Sequence, residues 1–117
     1  MTATFSRGEQ QLLCLARLLC GGLPPECVVS CDECTASLDA ACDRAIHDTV
    51  LRLPNTVIFI CHRLDHLAQF DMVVLLENGR VVEAGPPLAL LSDGRGRLAG
   101  LVRSWQEGCS QDAEQVE

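Results

Sequence analysis

Apolar residues recur at helical spacing through Leu12, Leu15/Ala16 and Leu19, which predicts an amphipathic helix over residues 10–19. The run Gly21-Gly-Leu-Pro-Pro25 ends it. Residues 27–31 are short and largely apolar, the pattern of a strand. From residue 40 to 53 the period is helical again, with Cys42, Ile46, Val50 and Leu53 on one face, until Pro54-Asn55 stops it. Residues 56–61 are apolar at both alternating sets of positions, as in a parallel strand covered on both faces. The result is a strand–helix–strand unit, for which a right-handed crossover is the strong default. Further on, residues 72–76 and 80–83 flank Asn78-Gly79, a hairpin turn signal. Residues 86–91 and 96–103 predict short helices, and after Trp105 the chain turns polar and acidic and is expected to be loose.

Composition narrows the function classes. A chain of 117 residues suits one small domain or one piece of a larger one, and at 48% hydrophobic it can bury a core. A net charge of −7 argues against a nucleic-acid groove, which needs a basic stripe. Phe5, Phe59, Phe70 and Trp105 are too scattered for a base-stacking platform. The longest apolar runs fall far short of the ~18 residues that suggest a membrane span. No charged-then-apolar leader opens the chain, so no secretion signal is expected. Eight cysteines in that context read as reduced thiols, most of them small hydrophobes in apolar stretches. Cys31 and Cys34 form one C-x-x-C, but no second pair follows at zinc-ligand spacing. The nine basic residues are all arginine, so these 117 residues hold no phosphate loop of the form G-x-x-x-x-G-K-[ST].

The candidate chemistry gathers at the strand ends. Asp32-Glu33 and His62 each sit just past the carboxyl end of a predicted strand, the edge at which open α/β sheets bind ligands. Of two adjacent carboxylates, one can hold Mg²⁺ while the other faces an attacking water. The bland alternative is a solvated pair at the start of a loop. An imidazole at position 62 can donate to a terminal phosphate; the competing reading is a surface cap. Ser6-Arg7-Gly8-Glu9 is S-x-x-E before an apolar helix, a capping box that explains Ser6 and Glu9 with no ligand. The same helix start offers free N–H groups to an anion, and Gly8 would let a phosphate approach, so both readings stand. Asp39 is expected to cap the helix beginning at Ala40. His47 and His66 lie in helical stretches with no partner in view.

Together these residues resemble a family. Phe5-Ser-x-Gly-x-x-Gln-Leu-Leu-Cys-Leu-Ala-Arg17 resembles the signature motif of ABC-type ATPases. Asp32-Glu-Cys-Thr-Ala-Ser-Leu-Asp39 resembles their Walker B acids running into the D-loop, and Thr56-Val-Ile-x-Ile-Cys-His-Arg-Leu64 their switch-histidine segment. Gly79-Arg-Val-Val-Glu-Ala-Gly85, followed by Leu90-Leu91, resembles the strand and helix that come next in exporters. Phe5-Ser and Gln11-Leu-Leu-Cys-Leu-Ala-Arg17 look most like subfamily C, the multidrug-resistance-associated transporters, in their second nucleotide-binding domain.

The resemblance implies an α/β fold, the C-terminal half of a P-loop NTPase (RecA-like) core with parallel strands and flanking helices and without the Walker A half. It implies a partial ATPase domain over residues 1–105 and an acidic, flexible tail over 106–117. ATP and Mg²⁺ are the implied cofactors. Asp32 would position the metal, Glu33 would polarise the hydrolytic water and His62 would contact the γ-phosphate. Ser6, Arg7, Gly8 and Glu9 would face ATP held by a second nucleotide-binding domain, with Asp39 working across that dimer interface. Transmembrane domains of the same transporter would be the other partners, at the cytoplasmic face of a membrane, with no nucleic acid involved. The chain departs from the family at Glu9, where glutamine is usual, at Arg7, where glycine is usual, and at Cys34 and Cys61, where alanines are usual. Alone, the chain is expected to bind ATP weakly and not to hydrolyse it, because the phosphate loop supplies most of that affinity. The competing function is a stand-alone half-domain that binds and regulates a complete nucleotide-binding domain.

Overall fold

The structure, a computed structural model, describes residues 4–114. The chain divides into two compact units, Met1–His62 and Arg63–Glu117, at a boundary the hydrophobic pattern does not mark.

The first unit runs helix–strand–helix–strand: α1 (Arg7–Cys20), β1 (Val28–Asp32), α2 (Ala40–Leu51) and β2 (Thr56–Ile60). The first helix begins at Arg7, before the apolar periodicity does, because Ser6 closes a capping box there. Glu9 N–H donates to Ser6 Oγ at 3.2 Å and Ser6 N–H donates to Glu9 Oε2 at 2.8 Å. The inward face of this helix also differs from the expected one. Gly8, Gln11, Leu15 and Leu18 turn inward, whereas Leu12 and Leu19 are exposed. Asp39 caps α2 as expected, its Oδ1 accepting from Cys42 N–H at 2.8 Å.

The two strands pair in parallel, from Val28 opposite Thr56 to Asp32 opposite Ile60. Leu15, Val29, Cys31 and Val50 form the buried core, with Leu18, Leu23, Ile46, Leu53, Val57 and Phe59 packed on it. Both helices therefore cover one face of the strand pair. The expectation that β2 is covered on both faces is not met: Ile58 and Ile60 are about half exposed, as is Val28 beside them. Two helices give apolar cover to one side only.

In the second unit, β3 (Val73–Glu77) and β4 (Arg80–Gly85) form an antiparallel hairpin with a bulge between Leu75 and Leu76. Asn78 and Gly79 take φ of 49° and 73°, the left-handed pair that a two-residue turn of this kind needs. After α3 (Pro87–Leu91) comes α4 (Arg97–Glu114). Glu83 supplies the start of α4, accepting from Arg97 N–H at 2.7 Å and Leu98 N–H at 3.0 Å. A Cβ at Gly96 would lie 2.5 Å from Glu83 Oε1, so any side chain there would have to displace this carboxylate. The helix continues through the polar segment expected to be loose, as far as Glu114. Residues 115–117 of that expected tail lie outside the described residues. No helix among the described residues is long and apolar enough to cross a membrane.

Candidate functional site

Parallel pairing in this register puts the carboxyl ends of β1 and β2 at one edge, and the candidate acids and histidine follow directly. Glu33 N–H donates to Ile60 O at 2.8 Å, carrying the ladder one residue past Asp32. Glu33 itself takes φ of 49°, a left-handed conformation that costs a residue with a Cβ about 1–2 kcal/mol. With its backbone held this way, Glu33 Oε1 meets His62 Nε2. The histidine side chain is 83% exposed and the glutamate 43%, so water reaches both partners. Two residues separated by a whole helix in sequence thus form one acid–imidazole pair at the sheet edge.

An open cavity of about 720 Å³ lies beside this pair, between the start of α1 and the segment after β1. Arg7, Gln11, Asp32, Glu33 and Ser37 are among its lining residues. Gln11 holds its two walls together: its Nε2 donates to Glu33 O at 3.3 Å and its Oε1 accepts from Ser37 N–H at 3.2 Å. Sequence reasoning missed Gln11. The available signal was a polar residue on the helix face shared by Leu15 and Leu18. Gly8 is part of the same junction, because a Cβ there would lie 3.0 Å from Ser37 O and 3.3 Å from Leu38 Cδ2. In this chain a backbone carbonyl crowds position 8, and a side chain there would have to push it aside.

Of the remaining candidates, Ser6, Glu9 and Asp39 are not among the residues that line the cavity. Ser6 and Glu9 satisfy each other in the capping box, and Asp39 is engaged at the start of α2. The Asp39 carboxylate also pulls the Cys42 thiol up from its ordinary value, through a hydrogen bond and then through its charge. Cys31 and Cys34 both line the cavity and share a hydrogen bond. That bond lowers Cys31 to about 7 against the opposing effect of burial, while Cys34, the donor, is pushed up. His47 has partners the sequence did not show: its Nδ1 lies 2.9 Å from Asp43 O, and its ring packs on Phe59 at 4.3 Å. It is fully buried. His66, also buried, has Nε2 3.6 Å from Asp65 Oδ2.

The donor set suits a hard cation and a phosphate. Asp32 is exposed at the sheet edge on the cavity wall, a carboxylate oxygen available to Mg²⁺ directly or through water. Arg7 on the same wall supplies positive charge for an anion. The α1 amide groups not used by Ser6 add a positive helix end.

Comparison with known proteins finds transporters among its relatives. No family model matches the chain. It is 43% identical over 95 residues to ABC transporter 7 of Pyricularia oryzae, covering 80% of this chain and 6% of that protein. It is 40% identical over 106 residues to ATP-binding cassette sub-family C member 10 of Mus musculus, covering 89% of this chain and 7% of that protein. Among solved structures, a bacterial Atm1-family ABC exporter with ATP bound superposes with a TM-score of 0.72 at 33% identity, over 86% of this chain and 17% of the exporter. The homologues of this chain are ABC transporters, and its α/β fold, a parallel strand pair with flanking helices, matches a fragment of an ABC exporter. The chain spans only about a fifteenth of the two curated relatives.

Proposed function

We propose that this chain is the C-terminal half of the nucleotide-binding domain of an ABC exporter, of the subfamily C type and from its second such domain. The observation that carries the reading is the Glu33–His62 pair at the carboxyl edge of two parallel strands, with Asp32 beside it. In this role Glu33 accepts a proton from the attacking water, and the exposure of its carboxylate leaves room for that water. His62 keeps Glu33 oriented and presents its imidazole toward the terminal phosphate. Asp32 would hold magnesium, which would supply positive charge to offset that of the phosphates. Arg7 and Gly8, with the cap residues Ser6 and Glu9, face a nucleotide bound by a second nucleotide-binding domain, and Asp39 lies toward that same partner. ATP binding and hydrolysis by the pair drive transmembrane domains between two states.

The relatives' names support the subfamily, since one is a sub-family C protein. The test is a chimaera in which the preceding half of a nucleotide-binding domain, taken from the Pyricularia relative, is fused to this chain. The chimaera is expected to hydrolyse ATP with magnesium, and Glu33→Gln is expected to lower turnover about 10²-fold or more. His62→Ala lowers it as well, and the 117-residue chain alone shows no turnover. Magnesium-dependent hydrolysis by the chain alone, or full activity of the Glu33→Gln chimaera, would overturn the reading.

A further inference from the structure

We propose that Gln11 is a positioning residue for the hydrolysis: its carboxamide clamps the turn after β1 and so holds Glu33 in the backbone conformation that aims its carboxylate. The role in hydrolysis rests on the reading of Glu33 given above; the clamp does not. Glu33 has a left-handed φ of 49°. A residue with a Cβ keeps such a conformation only where its surroundings impose it. Here the peptide groups on both sides of Glu33 are held. Its N–H donates to Ile60 O at 2.8 Å, and its C=O accepts from Ala36 N–H at 3.1 Å and from Gln11 Nε2 at 3.3 Å. Ile60 and Ala36 contribute backbone groups, whereas Gln11 contributes a side chain from another element.

The same carboxamide reaches the far end of the turn, where its Oε1 accepts from Ser37 N–H at 3.2 Å. One planar group therefore spans residues 33–37, donating at one end and accepting at the other. Glutamine can do both; a carboxylate at this position accepts but cannot donate, and a thioether donates nothing. Gly8 stands one turn earlier on the same face of α1 and lets the helix come this close, since a Cβ there would lie 3.0 Å from Ser37 O. The carboxylate that this backbone aims meets His62 and stays open to water. A turn that relaxes to a right-handed backbone swings the Cα–Cβ bond of Glu33 and takes the carboxylate away from the attacking water. Gln11 thus acts through Glu33 and not on the nucleotide.

Two variants separate the two bonds at little cost to the helix. Gln11→Met keeps the length and loses both bonds; Gln11→Glu keeps the acceptor for Ser37 N–H and loses the donor to Glu33 O. The first readout needs no nucleotide, so its failure and the failure of the ATPase reading are separate results. Amide hydrogen exchange of the 117-residue chain is followed residue by residue by NMR. In Gln11→Met, exchange at Glu33, Ala36 and Ser37 is expected to quicken about 10-fold, while the amides of α2 keep their rates. In Gln11→Glu, Glu33 and Ala36 quicken and Ser37 does not. The second readout is the chimaera described above. Gln11→Met is expected to lower its kcat about 10-fold at unchanged KM for ATP. Added to Glu33→Gln, the same change is expected to alter turnover less than about twofold, because residues that act as one unit do not add. Unchanged exchange at Glu33 and Ala36, or equal quickening throughout α2, would overturn the proposal. So would the same loss of turnover with and without the Glu33 carboxylate, the mark of a residue that only supports the fold. An inactive chimaera would sink the ATPase reading and with it the role in hydrolysis, while the exchange rates still decide the clamp.

Discussion

Single residues in this chain carry two kinds of information, and only one of them is visible in a sequence. The cap at Asp39 was legible because capping acts within three residues, and the structure shows it at 2.8 Å. What that carboxylate does to a neighbouring thiol was not legible, because it depends on where the Cys42 sulfur points. Asp39 raises the Cys42 thiol by hydrogen bonding and charge, so removing the charge must let it fall toward its ordinary value. Asparagine caps helices nearly as well as aspartate. Asp39→Asn is therefore expected to leave helix content unchanged and to speed alkylation of Cys42 several-fold near pH 8, where more thiolate then exists. Peptide mapping after a timed iodoacetamide pulse reads this at Cys42; an unchanged rate would remove Asp39 as the cause. Gln11 is the converse case. Its partners, the Glu33 carbonyl and the Ser37 amide, lie more than twenty residues along the chain, and no local pattern names them.

Among the elements, helix and strand identities followed the apolar periods, and the hairpin followed Asn78-Gly79, since both signals are local. The inward face of α1 did not follow. The period picked out Leu12 and Leu19 along with Leu15, whereas the side turned inward is that of Gln11, Leu15 and Leu18. Contact with the segment after β1 settles it, and Gly8 at 3.0 Å from Ser37 O is the tightest point. Gly8→Ala is expected to cost about 1–3 kcal/mol by overpacking. Ser6→Ala, which removes only a cap, is expected to cost about 1 kcal/mol. Urea titration followed by far-UV circular dichroism ranks the two. If Gly8→Ala were the milder change, the Gly8–Ser37 packing would not set the position of α1. The start of α4 also depends on a distant residue, since Glu83 on β4 supplies acceptors for two of its first amides.

At the scale of the whole molecule, apolar residues remain uncovered. Val28, Ile58 and Ile60 stand on the open face of the first unit, and Met72, Val74, Leu76 and Val81 on the hairpin, each about half exposed or more. Contiguous apolar patches of this kind mark surfaces that associate. The isolated chain is expected to self-associate with rising concentration and to bind a hydrophobic dye. Ile58→Thr with Ile60→Thr, which keeps β-propensity, should weaken both effects in sedimentation velocity and dye titration. A monomer at every concentration, without dye binding, would contradict this. By itself the sequence determined the helices and strands up to residue 103, the cap at Asp39, the hairpin turn and the position of Asp32, Glu33 and His62 at strand ends. Each of these depends on periodicity or on interactions within a few residues. Only the tertiary structure decided that Glu33 and His62 touch and that Gln11 and Gly8 hold α1 against the Glu33 loop. Those contacts depend on strand register, on which helix face is buried and on a left-handed turn at Glu33, and these are set by packing between distant segments of the chain.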